Sequence, residues 1–301
     1  MKIAIIGAGK WGQALYHAYS QHNDVVITSR NHKDIPNFVS IKEALSYEYI
    51  VMAIPAQHVR AWMSEHFVDQ NQKILVAAKG IEIQTGAFLN EVYEEFLPND
   101  RVAFISGPSF ATEVQQSLPT ALIISSVNQK LAHTFADALP NFIKGYASDD
   151  VVGAEVSGAY KNVIAIAGGV CDGLELGNNA RAALISRGLV EMSRFGVAFG
   201  AKLETFVSLG GAGDLFLSAS SKLSRNYRVG LGLASGKDMD EILQELGEVA
   251  EGVPTTKALH NIANKHNLYL PIASEVYNMI YEGKDPMQSV KDLLENRMDD
   301  E

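Results

Sequence analysis

The segment Lys2–Gly12 (KIAIIGAGKWG) sets the architecture of this 301-residue chain. Its apolar first half predicts a buried β-strand, and its second half is the Gly-x-Gly-x-x-Gly loop of dinucleotide-binding folds. Gly7 permits the tight turn, Gly9 lets the backbone approach a pyrophosphate, and Gly12 allows the following helix to pack closely on the strand. The segment therefore predicts a Rossmann-type unit in which a helix N-terminus faces a dinucleotide phosphate.

Outward from this segment, short apolar runs alternate with helical patterns over the first half of the chain. The predicted strands are 2–7, 25–28, 49–54, 73–78, 102–105 and 121–125, and the predicted helices among them include 56–67, 85–97 and 128–139. This alternation is typical of βαβ units.

After Asp149 the strand pattern stops, and helical segments separated by glycine follow. They are predicted at 150–170, 180–199, 215–223, 239–246, 254–266 and 272–281, and the polar residues 296–301 are expected to fray. We therefore predict an α/β protein, with an N-terminal Rossmann-type doubly wound sheet in residues 1–147 and an all-helical C-terminal domain in residues 148–301.

Composition excludes several classes of protein. A formal net charge of −10 disfavours a nucleic-acid partner. Cys171 is the only cysteine, so no internal disulfide can form, which fits a reducing compartment. No apolar run is long enough for a membrane span, and no leader follows Met1. We expect a cytoplasmic protein with a small-molecule substrate, no nucleic acid, no membrane span and no metal site.

The end of the second predicted strand bears on the cofactor. It reads Thr28-Ser29-Arg30, about twenty residues after the glycines, where folds that prefer NAD usually carry a carboxylate for the ribose hydroxyls. Arg30 can instead pair with a 2′-phosphate. We predict that NADPH is used at least as well as NADH; the alternative is an arginine that stacks on adenine without discrimination.

Lys161 lies in a helix of small and apolar residues, within the segment 153–162 (GAEVSGAYKN). Burial disfavours the charged ammonium, so a lysine in such an interior can have a lowered pKa and act as both base and acid. The alternative interpretation is a lysine that extends out of a buried helix to reach water.

Two further clusters end predicted strands, namely 79–82 (KGIE) and 107–111 (GPSFA). Ligands of an open parallel sheet lie outside the carboxyl ends of its strands. Lys79, Gly107 and Ser109 are thus placed to reach a substrate near the nicotinamide, although plain turns would have the same composition.

Two motifs of the second half have the same ambiguity. Asp214 follows a glycine turn and suits either a helix cap or a partner for a lysine amine. Ser224-Arg225-Asn226 offers a hydroxyl, a guanidinium and an amide, which suit either a phosphate or a helix end.

In combination, the motifs resemble those of the bacterial NAD(P)-dependent glycerol-3-phosphate dehydrogenases, in the same order and nearly end to end. The shared segments are the glycine loop with Trp11, 79–82 (KGIE), 107–114 (GPSFATEV), 158–163 (GAYKNV), 213–214 (GD), 224–226 (SRN) and 249–252 (VAEG). The resemblance implies interconversion of dihydroxyacetone phosphate and sn-glycerol 3-phosphate with NADP(H), or alternatively NAD(H), which supplies glycerol phosphate for phospholipid synthesis.

The resemblance also implies roles for individual residues. Lys161 would be the general base. The substrate would be lined by Lys79, Gly107, Ser109, Asp214, Ser224, Arg225 and Asn226. The dinucleotide would contact Gly7, Gly9, Lys10, Trp11, Gly12, Arg30, Lys79, Ala111, Arg225, Val249 and Glu251.

Two alternatives stay open at this point. A related Rossmann dehydrogenase of a carboxylated hydroxy substrate, of the 3-hydroxyacid or 6-phosphogluconate type, would have the same architecture, but the composition of 224–226 fits a phosphate better. A non-catalytic NADPH-sensing protein would need the glycine loop but not Lys161, Lys79 and Asp214 together. The glycine-rich helices of the second half also leave a homodimer open.

Overall fold

The computed structural model describes residues 1–295, so the predicted fraying of 296–301 lies outside the described residues. Within them, the N-terminal half forms one seven-stranded sheet. Its strands are β1 (Lys2–Ile6), β2 (Asp24–Thr28), β3 (Tyr49–Met52), β4 (Lys73–Val76), β5 (Val102–Ser106), β6 (Thr120–Ser125) and β7 (Ile143–Ser148).

The strand order is β2-β1-β3-β4-β5-β6-β7, and the first five strands are parallel. Strand β2 pairs with one side of β1, and β3 pairs with the other side, so the direction of the strand order reverses after β2. Such a reversal opens a crevice at the carboxyl ends of β1 and β3, where open α/β sheets bind ligands. The predicted fold class is confirmed.

Two features of the sheet differ from the prediction. Strand β6 runs antiparallel to β5, and β7, which pairs with β6, is absent from the predicted set. Strand β7 lies at the edge of the sheet and buries little of its sequence, IKGYAS, so it has no continuous apolar run. An edge strand with solvent on one side needs fewer apolar residues than a central parallel strand.

Helices cover the sheet of the N-terminal half. They are α1 (Lys10–Tyr19), α2 (Ile41–Ala44), α3 (Val59–His66), α4 (Leu89–Glu94), α5 (Ala111–Gln115) and α6 (Gln129–Asp137). The predicted helix 85–97 is wrong in its extent. Gly86 has a φ of +75°, and a bridge between Ile81 and Phe88 closes a loop there, so the helix begins only at Leu89.

Helices alone make up the described part of the second half, as predicted. They are α7 (Val151–Gly173), α8 (Gly177–Ala198), α9 (Leu203–Phe206), α10 (Asp214–Ala219), α11 (Arg225–Ala234), α12 (Met239–Leu246), α13 (Gly252–His266), α14 (Pro271–Tyr281) and α15 (Pro286–Glu295). Within residues 1–295, no helix combines the length and the apolarity needed to cross a lipid bilayer.

Helix α7 is the centre of the second half, buried along nearly its whole length and packed against α8, α10, α11 and α13. Its crossing with α11 is close because both helices carry glycine there. A Cβ at Gly169 would lie 2.0 Å from the carbonyl oxygen of Tyr227, and a Cβ at Gly230 would lie 2.0 Å from that of Ile166. Helix α11 is not predicted from the sequence because Gly230 and Gly232 interrupt its apolar pattern.

Candidate active site

The glycine loop between β1 and α1 lies at the crevice, and its three glycines have different structural roles. Gly7 has a φ of +111°, and a Cβ there would lie 2.3 Å from the carbonyl oxygen of Ala53, just after β3. A Cβ at Gly12 would lie 1.8 Å from the carbonyl oxygen of Gly7. A Cβ at Gly9, by contrast, would meet nothing within 4 Å. Gly7 and Gly12 are thus required by packing, whereas Gly9 keeps open the space outside the protein backbone.

That open space fits a dinucleotide phosphate. Helix α1 begins at Lys10, and among the described residues no side chain caps its first turn at Gly9. The backbone N–H groups of a first helical turn have no intrahelical acceptor, and they attract anions. Next to Lys10, Trp11 is half-buried, and its indole Nε1 has no hydrogen-bond partner within residues 1–295.

Arg30 and a residue missed by the sequence analysis, Lys33, lie after β2. Arg30 is exposed, and Ser29 Oγ donates a hydrogen bond to the carbonyl oxygen of Asn31 at 2.7 Å, which fixes the turn. Lys33 Nζ donates to the carbonyl oxygen of Ala8, in the glycine loop, at 2.6 Å. The sequence shows several cations after β2 but not which of them turns back to the loop.

Two lysines and one aspartate meet where the end of β4 faces the helical half. Lys161, in the middle of α7, bonds through Nζ to Asp214 Oδ1, and to Ser218 Oγ at 2.9 Å. Lys79, which follows β4, bonds through Nζ to Asp214 Oδ2 at 2.7 Å. Lys161 is 7% exposed and Asp214 is 1% exposed. The interpretation of Lys161 as a lysine that reaches bulk water is therefore wrong.

Asp214 is not the cap of its helix, which was the alternative from the sequence. It is the first residue of α10, and Gly213 occupies the cap position. Ser218 lies four residues later and therefore one turn further along the same face, and it escaped the sequence analysis. A serine in an apolar helix carries no sequence signal of its own.

The lysine-aspartate cluster holds an amine whose charge is easily lost. Burial lowers the pKa of Lys161 to about 7, with Lys79 acting in the same direction and Asp214 opposing both. Burial alone would raise the pKa of Asp214, but the charges of Lys161 and Lys79 outweigh it and hold that pKa below its usual range. Two lysines thus share one ionised carboxylate. Near neutral pH, Lys161 can take up or release a proton.

Gly107 and Ser109 follow β5, beside the end of β4 that carries Lys79. Gly107 has a φ of +116°, and a Cβ there would lie 2.9 Å from the carbonyl oxygen of Ala121. Ser109 Oγ donates to the carbonyl oxygen of Gly107 at 3.1 Å. This loop contacts the turn before Asp214, since a Cβ at Gly213 would lie 3.8 Å from Pro108. The loop therefore borders the lysine-aspartate cluster.

Ala111, also predicted to contact the dinucleotide, is the first residue of α5 and is half-buried. Helix α5 packs against α1, the helix that follows the glycine loop. The structure thus brings Ala111 to the same side of the sheet as the glycine loop.

Ser224, Arg225 and Asn226 form the start of α11. Ser224 Oγ accepts a hydrogen bond from the backbone N–H of Tyr227 at 3.3 Å and so caps the helix. Asn226 Oδ1 accepts from the backbone N–H of Gly252 at 2.9 Å. The helix-end interpretation therefore holds for Ser224, and Arg225 is the member of the motif that projects toward solvent, with its side chain 42% exposed.

Glu248 links this motif to the glycine loop. Its carboxylate pairs with Arg225 Nη1 at 3.4 Å and also with Lys10 Nζ. Lys10 belongs to the sheet half and Arg225 to the helical half, so Glu248 bridges the two halves of the protein. Both of these cations were predicted to bind anionic ligands. No pattern in the sequence indicates this contact.

Val249 and Glu251 follow in the same segment, before α13. Val249 is exposed, whereas Glu251 is half-buried and its Oε2 lies against the Lys79-Gly80 turn, where a Cβ at Gly80 would lie 3.4 Å from that atom. Burial raises the pKa of Glu251 to about 7, against a hydrogen bond from the backbone of Ala56. Within residues 1–295, Glu251 Oε2 has no hydrogen-bond partner. A buried acceptor without a donor fits a ligand that brings an N–H group, such as a carboxamide.

Within residues 1–295, no group of three or more His, Cys, Asp or Glu side chains is arranged to hold a metal ion. The arrangement fits proton transfer by a lysine beside a dinucleotide.

Family models match both halves of the chain. The model described as NAD-dependent glycerol-3-phosphate dehydrogenase N-terminus matches residues 30–132, and the one described as the C-terminus of the same enzyme matches residues 150–291.

Similar proteins match along the whole length. The chain is 61% identical over 295 residues to the glycerol-3-phosphate dehydrogenase (NAD(P)+) of Sulfurimonas denitrificans, covering 98% of this chain and 99% of the relative. It is 58% identical over 300 residues to the protein of the same name from a Nitratiruptor species, covering 100% of both. A crystal structure of glycerol-3-phosphate dehydrogenase from Coxiella burnetii superposes with a TM-score of 0.90 at 35% identity, covering 98% of this chain and 99% of that one.

Proposed function

The chain belongs to the bacterial NAD(P)-dependent glycerol-3-phosphate dehydrogenases, and on this basis we propose the roles of its site residues. It interconverts dihydroxyacetone phosphate and sn-glycerol 3-phosphate with NAD(P) as coenzyme. Membership decides against the two alternatives that the sequence left open. Glycerol phosphate is a precursor of phospholipids, so we infer that the enzyme serves lipid synthesis.

The observation that carries the residue assignment is the buried contact of Lys161 with Asp214. We propose that Lys161 is the catalytic residue. When sn-glycerol 3-phosphate is oxidised, the neutral amine accepts the proton of the C2 hydroxyl. When dihydroxyacetone phosphate is reduced, the ammonium donates a proton to the oxygen on C2. The bound nicotinamide supplies or accepts the hydride in this reaction.

Asp214, Lys79 and Ser218 set the state of this amine. Asp214 and Ser218 fix the position of Lys161 Nζ through hydrogen bonds, and Asp214 limits the fall of its pKa. Lys79 acts against the ammonium form and lies on the strand-end side of the cluster. A lysine with a pKa near 7 serves as acid in one direction and base in the other, which a lysine with the ordinary value of about 10.4 could not do at neutral pH.

We propose that the substrate phosphate binds at the start of α11. Arg225 offers a guanidinium there, and Ser224 and Asn226 flank it on a helix N-terminus that favours anions. Lys79, Gly107 and Ser109 would border the glycerol carbons, beside Lys161. Fixing both ends of a three-carbon substrate orients C2 for reaction, and such orientation contributes several kcal/mol to many enzymatic rates.

The remaining predicted residues would hold the dinucleotide. Gly7, Gly9, Lys10, Trp11 and Gly12 form the phosphate loop. Arg30 would contact the adenosine ribose, and Ala111, Val249 and Glu251 would border the nicotinamide. The open space at Gly9 and the unpartnered Oε2 of Glu251 support this placement.

Lys161→Ala tests the catalytic assignment. We expect kcat to fall by a factor of about 10² to 10⁴, the usual contribution of general acid-base catalysis, with little change in the dissociation constant of NADPH. Lys202→Ala is the matched control, because Lys202 is an exposed lysine of the same half that pairs with Asp149. Turnover close to that of the wild type in a folded Lys161→Ala variant would remove Lys161 from the mechanism.

Three narrower inferences accompany this function. We infer two domains, residues 1–147 and 148–301, from the change between sheet and helices, and limited proteolysis near residue 148 would test the boundary. We also infer a cytoplasmic location from the single cysteine, which fractionation would check. A homodimer through the helical half stays a prediction for light scattering coupled to gel filtration.

A further inference from the structure

The loop after β2 brings a second cation to the glycine loop, in addition to Arg30. We propose that Lys33 binds the 2′-phosphate of NADPH together with Arg30, so that two side chains share the discrimination between NADPH and NADH. This inference rests on the proposed placement of the dinucleotide on the glycine loop.

The position of the Lys33 ammonium is fixed by its contact with the loop. Lys33 Nζ donates to the carbonyl oxygen of Ala8 at 2.6 Å, and Ala8 lies between Gly7 and Gly9 at the carboxyl end of β1. Strand β2 is the neighbour of β1 in the sheet, with Thr28 paired to Ile6. In dinucleotide-binding folds the adenosine ribose lies between the glycine loop and the end of this neighbouring strand. The ammonium therefore lies at the ribose end of the crevice.

The charges at this place suit an added phosphate. An ammonium has three donors, and the Ala8 carbonyl takes one of them, so two stay available. Within residues 1–295, neither Arg30 nor Lys33 takes part in a salt bridge, so no acid competes there for either cation. The end of β2 also carries no carboxylate for ribose hydroxyls, because it reads Thr28-Ser29-Arg30. Two cations that are not paired with an acid favour a 2′-phosphate over a 2′-hydroxyl.

A purely structural role for Lys33 makes a different prediction. If Lys33 served only to fix the glycine loop through Ala8, its loss would weaken every adenine nucleotide equally. If it binds the 2′-phosphate, its loss would weaken only nucleotides that carry that group. The two roles therefore separate in the ratio of two affinities.

Calorimetry of the protein without substrate measures this ratio directly. The ligands are adenosine 2′,5′-bisphosphate and 5′-AMP, which differ only in the 2′-phosphate. We expect Lys33→Ala to raise the dissociation constant of the bisphosphate about tenfold, the usual effect of a charge-assisted hydrogen bond at a partly exposed site. The dissociation constant of 5′-AMP should change by less than about twofold.

Three further variants complete the design. Arg30→Ala should give a loss similar to that of Lys33→Ala, and the double variant should bind both nucleotides with nearly equal affinity. Lys33→Arg should keep most of the preference because it keeps the charge. Lys42→Ala is the matched control, an exposed lysine in α2 of the same connection between β2 and β3, and it should leave both affinities unchanged.

Two results would overturn the inference. An equal loss for both nucleotides in Lys33→Ala, or no loss for either, would leave Lys33 without a role at the 2′-phosphate. Failure of the wild type to bind either nucleotide would instead refute the proposed cofactor site itself, and the inference with it.

Discussion

Asp214→Asn offers the sharpest test of how the site tunes its amine. The substitution keeps the size of the side chain and removes the negative charge between Lys161 and Lys79. A hydrogen bond to a charged group contributes about 1.5 to 3 kcal/mol, and one pH unit corresponds to about 1.4 kcal/mol. Since Asp214 favours the ammonium form, we expect the pKa of Lys161 to fall by about one to two units from its value of about 7.

The assay is the pH dependence of kcat/KM for oxidation of sn-glycerol 3-phosphate, which reports ionisations of the free enzyme and the free substrate. In the wild type, activity should rise with pH through about 7, as Lys161 loses its proton. The substrate phosphate titrates near pH 6 in both proteins. The acidic limb of Asp214→Asn should therefore move down by about one unit, until the substrate phosphate sets it.

A second variant with a smaller expected shift and a control variant complete this test. Ser218→Ala removes one hydrogen bond to Lys161 Nζ and should shift the limb in the same direction by a smaller amount. Asp149→Asn makes the same change of charge at an exposed aspartate that also pairs with a lysine, and it should leave the profile in place. An unshifted limb in a folded Asp214→Asn protein would refute the coupling of Asp214 to the Lys161 amine.

Two further predictions address the glycine loop and a buried acid. Gly9→Ala should keep the melting temperature of the wild type, since Gly9 has a φ of −72° and open space beside it, but it should weaken NADPH binding at least about tenfold in calorimetry because the methyl group occupies the phosphate space. Gly12→Ala should instead lower the free energy of unfolding by about 1 to 3 kcal/mol. Equal melting temperatures for the two variants would contradict these separate roles of Gly9 and Gly12. Burial raises the pKa of Glu155 in α7 to about 8. The native state therefore keeps a proton that the unfolded chain releases above the ordinary pKa of glutamate, and the wild type loses stability as pH rises between these two pKa values. In urea titrations, Glu155→Gln should gain stability over the wild type progressively between pH 5 and 8, whereas a constant difference would show that this carboxyl does not titrate there.

Local sequence determined much of this protein. The glycine loop after an apolar strand fixed the Rossmann-type unit and the place of its ligand, because the turn, the backbone approach and the helix packing each need glycine within eleven residues of chain. The loss of strand pattern after Asp149 marked the helical half, and the helix 239–246 has the predicted bounds. The small apolar neighbours of Lys161 predicted a buried helix, since a helix with no polar face has no side turned to water. They left open whether the lysine itself reaches water.

Contacts between segments that lie far apart in the chain depend on the tertiary structure. Asp214 lies 53 residues from Lys161 and 135 from Lys79, and no periodicity predicts that one carboxylate would serve both amines. That meeting depends on how the sheet docks against α7, which places a strand end and a helix start on one buried lysine. The direction of β6, the edge strand β7 and the turn of Lys33 onto Ala8 are of the same kind. Each depends on partners brought close by packing, and a hydrogen bond or strand pairing acts only over a few ångströms, however far apart its members lie in the chain.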